Sequence, residues 1–469
     1  MSEHARRIDD LSTVHLVGVG GAGMSALARV LVARGATVSG SDIKESRGLA
    51  ALRALGVRAE VGHRAENLEG AGALVVSSAI PPHNPELQAA RAAGIPVLQR
   101  AQVLAMLMRE RRGVAVAGTH GKTTTTSMIA MAMRHAGLDP TFLIGGDLNE
   151  TGTNAHHGTG EWLVAEADES DGSFLWLAPD VAVVTNIEAD HLDYYRDEDE
   201  IRQAFLSFVA NVRPGGTVVL CDDDPGSAGI ADRIPVTVVR YGIGEGDGWR
   251  ARVIERGPGG IRAAIARDGE HLGEASLSVA GDHNLRNALA AFAVADLAGV
   301  PFETAAEELA VFGGVARRFE FRGLANDITI VDDYAHHPTE IAATLASARE
   351  RGFDRIVAIF QPHRYSRTEA MGAALGAALA GADLAVVTDV YGAGEQPVPG
   401  VTGKRVVDGL LDAVPRARVA YLPLGSDLAG FAARIGRPGD LILTLGAGDI
   451  TMLADEILDR LRDRSPAVS

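Results

Sequence analysis

Three times along this chain a short β-branched run, a glycine-rich turn and a helical stretch follow one another: TVHLVGVGGAGMSALARVLVARG, RRGVAVAGTHGKTTTTSMIAMAMRHAG and FDRIVAIFQPHRYSRTEAMGAALGAALAG. Strands apolar along their whole length need cover on both faces. A helix between successive strands supplies that cover and returns the chain to start the next strand in parallel. The expectation is an α/β chain of three successive parallel-sheet domains. The first runs through LVVSSAI to the helix QRAQVLAMLMRE; a charged hinge, Arg109 to Arg112, leads into the second, and a break near FGGVARRFE into the third. This places the domains at 1–110, 111–315 and 316–469. Weaker strands between Val236 and Ser278, separated by glycine-rich turns, read as a small antiparallel annex of the second.

Composition narrows the function more than the fold. At 469 residues each domain can bury its own core, and 46% hydrophobic with 22% charged residues is a soluble globular balance. A formal charge of −17 without a basic run argues against a nucleic-acid partner. Cys221 is the single cysteine, so no internal disulfide forms, which fits a reducing compartment. Acidic residues stand where a secretory peptide needs an apolar core, and no apolar run reaches the ~18 residues that span a bilayer. A cytoplasmic protein with no membrane partner is expected. Lysine occurs only at Lys44, Lys122 and Lys404. Where nearly every basic site is arginine, a retained lysine can mark a need for its compact ammonium; for Lys44 and Lys404 composition bias is explanation enough.

Gly18, Gly20 and Gly23, with Gly21 between, form G-x-G-x-x-G after a strand and before an amphipathic helix. Such a turn lets a diphosphate approach backbone N–H groups at the positive end of a helix. Asp42, at the end of the next strand, stands where an acid often accepts a ribose hydroxyl, and Ser77, in the later run LVVSSAI, is a further candidate for the same ligand. A turn used only for packing would also accept glycine here, so the motif points to a dinucleotide-like diphosphate without naming a reaction.

The second loop is more specific. Gly118-Thr119-His120-Gly121-Lys122-Thr123-Thr124 follows an apolar strand and opens a helix. Its N–H groups can cradle β- and γ-phosphates, Lys122 brings a mobile positive charge, and the Thr123 hydroxyl can ligand Mg²⁺. Val116 replaces the first glycine of the full phosphate-loop spacing, so this is a shortened variant.

The string GTHGKTTTT resembles the nucleotide loop of the Mur ligases, which add amino acids to UDP-muramyl precursors. HLVGVGGAGMSALA, NIEADHLDYY, GDHNLRNALAA, RRFEFRG, VDDYAHHPTE, FQPHRYSRT and LTLGAGDIT are similar to that family too, in its order, from about residue 15 to about residue 451. The closest likeness is to its alanine-adding branch. The resemblance implies a Rossmann-like N-terminal domain binding a UDP-sugar, a central P-loop ATPase-type domain, and a Rossmann-like C-terminal domain binding the amino acid. It also implies ATP and Mg²⁺ as cofactors and UDP-N-acetylmuramate and L-alanine as substrates, and leaves monomer and homodimer both open.

Glu166 and His191 each follow an apolar strand, and strand ends on one edge of a parallel sheet converge. Together with Thr123 and phosphate oxygens they suit one or two Mg²⁺, the roles the resemblance also implies. Some relatives use a carbamylated lysine, but here no lysine lies between Lys122 and Lys404. By resemblance His283, Asn284 and Asn287 hold adenine and ribose; by themselves they read equally as capping and interhelical hydrogen bonds. Arg317 and Arg318 would neutralise γ-phosphoryl charge, Asp333 would meet nucleotide, and Tyr334 and His336 would face the amino acid. His363, Arg364 and Arg367 present two guanidinium forks for the amino-acid carboxylate, and cations at a helix start run against the dipole. Lys122, His191, Arg317 and Arg318 are the catalytic candidates. Two rivals remain: a recycling ligase that attaches a tripeptide, and a nicotinamide-dependent oxidoreductase built on the first loop.

Overall fold

The structure, a computed structural model, describes residues 8–149, 152–191, 194–423 and 425–463. The first stretch is β1 (Thr13–Val17), α1 (Ala22–Ala33), β2 (Thr37–Asp42), α2 (Arg47–Ala54), β3 (Arg58–Val61), β4 (Ala73–Val76), α3 (Pro85–Ala92), β5 (Val97–Gln99) and α4 (Arg100–Arg109). Its strands form a five-stranded sheet in the order β3-β2-β1-β4-β5, every pair parallel. The order reverses between β1 and β4, so the turns after these two strands flank one crevice. That crevice holds the first glycine loop and the Ser77 turn: a Cβ on Gly18 would lie 3.4 Å from Ile80 Cδ1.

The central stretch contains β6 (Arg112–Ala117), α5 (Lys122–His135), β7 (Thr141–Leu143), β8 (Ala155–His156), β9 (Trp162–Glu166), β10 (Val181–Val184), α6 (Glu198–Ala210), β11 (Thr217–Cys221), α7 (Pro225–Ala228), β12 (Thr237–Ile243), β13 (Trp249–Gly257), β14 (Gly260–Arg267), β15 (Glu270–Leu277), α8 (Asp282–Leu297) and α9 (Phe302–Val311). Its sheet has ten strands in the order β15-β14-β13-β12-β11-β10-β6-β9-β7-β8. The expected annex is not a separate sheet. β12 pairs in parallel with β11, and β13 to β15 continue outward from it. The glycine-rich turns were legible as local breaks, but the register that adds these strands to the main sheet is non-local. β6 lies between β9 and β10, so the Gly118–Thr124 loop leaves the sheet beside the ends of both neighbours.

The last stretch is β16 (Glu320–Ala325), β17 (Ile328–Asp333), α10 (Pro338–Glu350), β18 (Arg355–Phe360), α11 (Tyr365–Ala378), β19 (Leu384–Val387), α12 (Lys404–Ala413), β20 (Val419–Tyr421), α13 (Leu428–Ile435), β21 (Asp440–Leu445) and α14 (Thr451–Asp463). They give a six-stranded sheet, β16-β17-β21-β18-β19-β20, in which only the edge strand β16 runs antiparallel. Along β18, Ile356, Ala358 and Phe360 enter one core while Val357 and Ile359 enter the other. This two-residue alternation between two apolar layers is why the strand reads as continuously hydrophobic.

Three sheets thus make three α/β domains. The described residues divide into two compact units, the first lying within 8–252, 263–276 and 284–312, the second within 253–262, 277–283 and 313–463. No helix among the described residues is long and apolar enough to cross a membrane.

Candidate functional site

In the first unit the Gly118–Thr124 loop is gripped from the end of β10. The Thr119 N–H donates to the Asn186 carbonyl, the His120 N–H to Asn186 Oδ1 at 2.8 Å, and the Thr185 and Asn186 side chains both donate to the His120 carbonyl. Gly118 (φ 141°) and Gly121 (φ 80°) take backbone angles that L side chains rarely adopt, and a Cβ on Gly118 would overlap the Thr185 hydroxyl. Gly121 packs against Asn287, whose Oδ1 accepts from the Thr125 hydroxyl at 3.1 Å. Asn287 is 6% exposed and ties α8 to α5, the interhelical reading; its Nδ2 reaches Asn284 Oδ1 at 3.4 Å. Thr123 and Thr124 lie in the first turn of α5.

Lys122 folds onto its own loop. Its Nζ donates to the Gly118 carbonyl (2.5 Å), the Thr119 carbonyl (3.1 Å) and Glu169 Oε1 (2.8 Å). Burial pulls this ammonium down, but Glu169, with Asp168 and Glu166 behind it, outweighs burial and holds it above the ordinary lysine value. Glu169 is 2% exposed, and its Oε2 has no hydrogen-bond partner among the described residues. Its Oε1 also lies 3.6 Å from His191 Nε2. Glu166 accepts from the Gly145 N–H at 2.5 Å. His191 has φ 53°, an uncommon angle for a non-glycine residue, and its N–H donates to Asp190 Oδ1. A hydroxyl in the helix turn, carboxylates and an imidazole therefore share one sheet edge, and an orphaned buried carboxylate oxygen is the kind of atom a divalent cation satisfies. Sequence reasoning chose Glu166 from EADESD and missed Glu169, three residues on, which is the acid in contact with Lys122 and His191.

The glycine loop of the same unit is held by β2. The Gly18 and Val19 N–H groups donate to the Ser41 carbonyl (2.8 and 3.0 Å), and the Gly20 N–H donates to Asp42 Oδ2 at 2.9 Å. Asp42, expected to accept a ribose hydroxyl, here takes a backbone N–H of the loop itself. Gly21 is the N-cap of α1, and Gly23 lies in that helix's first turn.

In the second unit, Asp333, Tyr334 and His336 leave the end of β17, and His363 and Arg364 that of β18. Their rings form a row: Tyr334 to His336 at 5.2 Å, His336 to His363 at 5.7 Å, and His363 stacked on Tyr391 at 5.7 Å. Tyr391 escaped the sequence reading. Burial first, then the charges of His336, Arg367 and Arg364, push the His363 ring down to about 3. Arg367 Nη1 sits 3.5 Å from His363 Nδ1. Arg364 is the N-cap of α11 with φ 68°. Arg317 (φ 61°) and Arg318 both lie over the Tyr334 ring. Arg317 also reaches fully buried Asp332 at 3.3 Å and the Gly446 carbonyl at 2.7 Å, whereas Arg318 lies 3.5 Å from Glu340. Burial pushes the Asp333 carboxyl up to about 6, against the pull of Arg318 and the Ala335 and Phe319 N–H groups. His337 caps α10, and His283, the second residue of α8, belongs to this unit beside Gly281.

Three family models cover the chain in order: the Mur ligase family catalytic domain over residues 13–112, the Mur ligase middle domain over 116–295, and the Mur ligase glutamate ligase domain over 317–448. The chain belongs to the Mur ligase family. A UDP-N-acetylmuramate–L-alanine ligase of Saccharopolyspora erythraea is 50% identical over 472 residues, covering 97% of this chain and 95% of that protein. One from Mycolicibacterium smegmatis is 51% identical over 468 residues, covering 97% and 96%. Among solved structures, a UDP-N-acetylmuramate-alanine ligase of Thermotoga maritima superimposes with TM-score 0.81 at 31% identity, over 96% of this chain and 98% of the other. A murein peptide ligase of Psychrobacter arcticus gives 0.74 at 27% identity, over 96% and 99%. The oxidoreductase rival does not survive membership of the Mur ligase family.

Proposed function

We propose that this Mur ligase joins L-alanine to the lactyl carboxylate of UDP-N-acetylmuramate at the expense of ATP, in cytoplasmic synthesis of the cell-wall precursor. One observation carries the choice of substrate: about half of all residues, end to end, are identical to those of ligases named for that reaction. The lower identity to the murein peptide ligase weighs against the tripeptide alternative.

The chemistry follows from the charges. A carboxylate oxygen attacks the γ-phosphorus, the bond to ADP breaks, and an acyl phosphate forms. The uncharged alanine nitrogen then attacks the acyl carbon, and phosphate leaves to give the amide. The first step brings two anions together, so catalysis is mainly positioning and screening. Lys122, pulled off Glu169 by a better anion, supplies the positive charge at the phosphates. Thr123, Glu166 and His191, joined by Glu169, would hold Mg²⁺, which when bound screens the triphosphate. Arg318 fits the role of γ-phosphoryl screen, while Arg317, tied to Asp332 and Gly446, shapes the segment that carries it. Asp333 and the His283–Asn284 turn would meet the nucleotide. Tyr334, His336 and the neutral ring of His363 line the amino-acid side, and Arg364 and Arg367 hold its carboxylate. Gly18, Gly20, Gly21 and Gly23, with Asp42 and Ser77, hold the UDP-sugar. Domain limits near residues 110 and 315 fit the three sheets.

The deciding experiment is phosphate release from ATP with UDP-N-acetylmuramate, screened against single amino acids and the wall tripeptide. Release with L-alanine alone among them is expected. Release with the tripeptide and not with alanine would overturn the assignment.

A further inference from the structure

The first glycine loop carries no cation of its own: VGVGGAGMSA contains neither lysine nor arginine. One arrives from elsewhere in the first unit. Arg100, the first residue of α4, reaches across so that a Cβ on Gly23 would overlap its Nη1, with Cζ at 3.2 Å and Cδ at 3.4 Å. The third glycine of the motif thus makes room for a guanidinium. That guanidinium stands at the first turn of α1, and Arg100 opens the first turn of α4, so it sits at the positive ends of two helices. A cation there is electrostatically unfavourable unless an anion compensates it.

The compensating anion is Asp168, whose Oδ2 lies 2.9 Å from Arg100 Nη2. Asp168 is itself fixed, its Oδ1 accepting from the Ser170 N–H (3.1 Å) and hydroxyl (2.7 Å). Burial would raise this carboxyl, but Arg100, Ser170 and Lys122 outweigh burial and hold it down near 2. Asp168 lies between Glu166 and Glu169 in the acidic segment beside the phosphate loop. The pair is not sealed off: the two side chains are 28% and 39% exposed.

We propose that Arg100 is the cation of the N-terminal glycine loop: it enters the space left by Gly23 and binds the diphosphate of the UDP-sugar, with Asp168 as the partner that aims it. This rests on the reading of that loop as the UDP-sugar site. The planar guanidinium can give one edge to Asp168 and another to a phosphate oxygen, which a lysine ammonium does less well.

The test is calorimetric titration of UDP, and separately of UDP-N-acetylmuramate, into the full-length protein and its Arg100→Met, Arg100→Lys and Arg100→Met/Asp168→Asn variants. The double variant removes both charges, so a fold upset by an Asp168 left without its partner does not confuse the result. Expected is a loss of about 10- to 100-fold in UDP affinity for Arg100→Met and for the double variant, the size of a lost charge-assisted hydrogen bond. Arg100→Lys should recover part of it. The KM for UDP-N-acetylmuramate should rise in step while the KM for ATP stays within about twofold and kcat at saturation holds. Unchanged UDP binding in the folded double variant overturns the proposal, as does an ATP KM that rises equally, which marks a structural role. Gly20→Val serves as the control. If it weakens UDP binding and Arg100→Met does not, Arg100 is wrong; if neither does, the reading of the loop itself is wrong.

Discussion

The two glycine loops of the first unit share a strand–turn–helix plan but are held differently. The N-terminal loop is braced largely by backbone: the Ser41 carbonyl takes two of its N–H groups, with Asp42 taking a third. Its nearby cation comes from a distant helix. The central loop is braced largely by side chains, from Thr185, Asn186 and Asn287, and carries its own ammonium in Lys122. The contrast matches the chemistry proposed for each. A diphosphate that is only bound can be served by N–H groups and a helix end, whereas a triphosphate that must accept an anionic nucleophile needs a full charge within the loop.

The largest break in this comparison is Lys122→Ala. ATP-dependent phosphate release should fall by about 10³-fold or more, the upper range for losing one preorganised stabilising group. The same change leaves Glu169 buried without its partner, a destabilisation of about 3–5 kcal/mol. Lys122→Ala/Glu169→Gln should therefore regain melting temperature without regaining turnover. Turnover that returns with stability would show that the ammonium is a structural counter-ion and not the phosphate's.

Next is Gly20→Val in the other loop. A Cβ there would lie 2.7 Å from Leu49 Cδ1 and 2.8 Å from Asp42 Oδ2, so the loop must move off Asp42. A fall in UDP-N-acetylmuramate affinity of about 10-fold or more is expected, the weight of a displaced charge-assisted contact. ATP binding should be spared. An equal loss for both ligands would mean that the loops are not independent.

How far each loop was legible follows from the same difference. Gly118 to Thr124 carry glycines, ammonium and hydroxyls in seven consecutive residues, so their chemistry is written locally. The N-terminal loop draws on Ser41, Asp42 and Arg100, and nothing near Gly23 signals a guanidinium 77 positions on. Glu169 was hidden for another reason: EADESD offers four acids, and which one turns toward Lys122 depends on an irregular loop, where neither the helical nor the strand period applies. The domain pattern was legible because continuously apolar strands admit few arrangements. The attachment of β13 to β15 to the main sheet was not, since pairing between strands far apart in sequence leaves no local mark.

A third prediction concerns what stands behind the N-terminal loop. Ser41, whose carbonyl holds Gly18 and Val19, donates its hydroxyl at 2.6 Å to Glu86, a fully buried acid that also accepts from Asn67 at 2.6 Å and faces His15 at 3.6 Å. Burial would raise the Glu86 carboxyl, but these partners hold it down to about 2 from an ordinary 4.5. The unfolded chain therefore takes up a proton before the folded one does. The contribution is complete above about 4.5 and is lost as pH falls toward about 2. Glu86→Gln should flatten that arm of the stability curve, read as urea midpoints against pH. An arm of unchanged slope would remove Glu86 from the account.

The smallest expected effect separates the two readings of Asn287. If it only ties α8 to α5 behind Gly121, Asn287→Ala loses the hydrogen bond from Thr125 and costs about 1 kcal/mol, an ordinary price for one such bond. The ATP KM should then move by less than about threefold, because Thr185 and Asn186 still hold the loop from the β10 side. If Asn287 instead holds adenine or ribose, as the family resemblance implies, the ATP KM should rise by about tenfold with little change in melting temperature. The geometry favours the first outcome. Asn287 is 6% exposed, with its Oδ1 already committed to Thr125 and packed against Gly121, so nucleotide could reach it only by displacing the contacts that shape the loop.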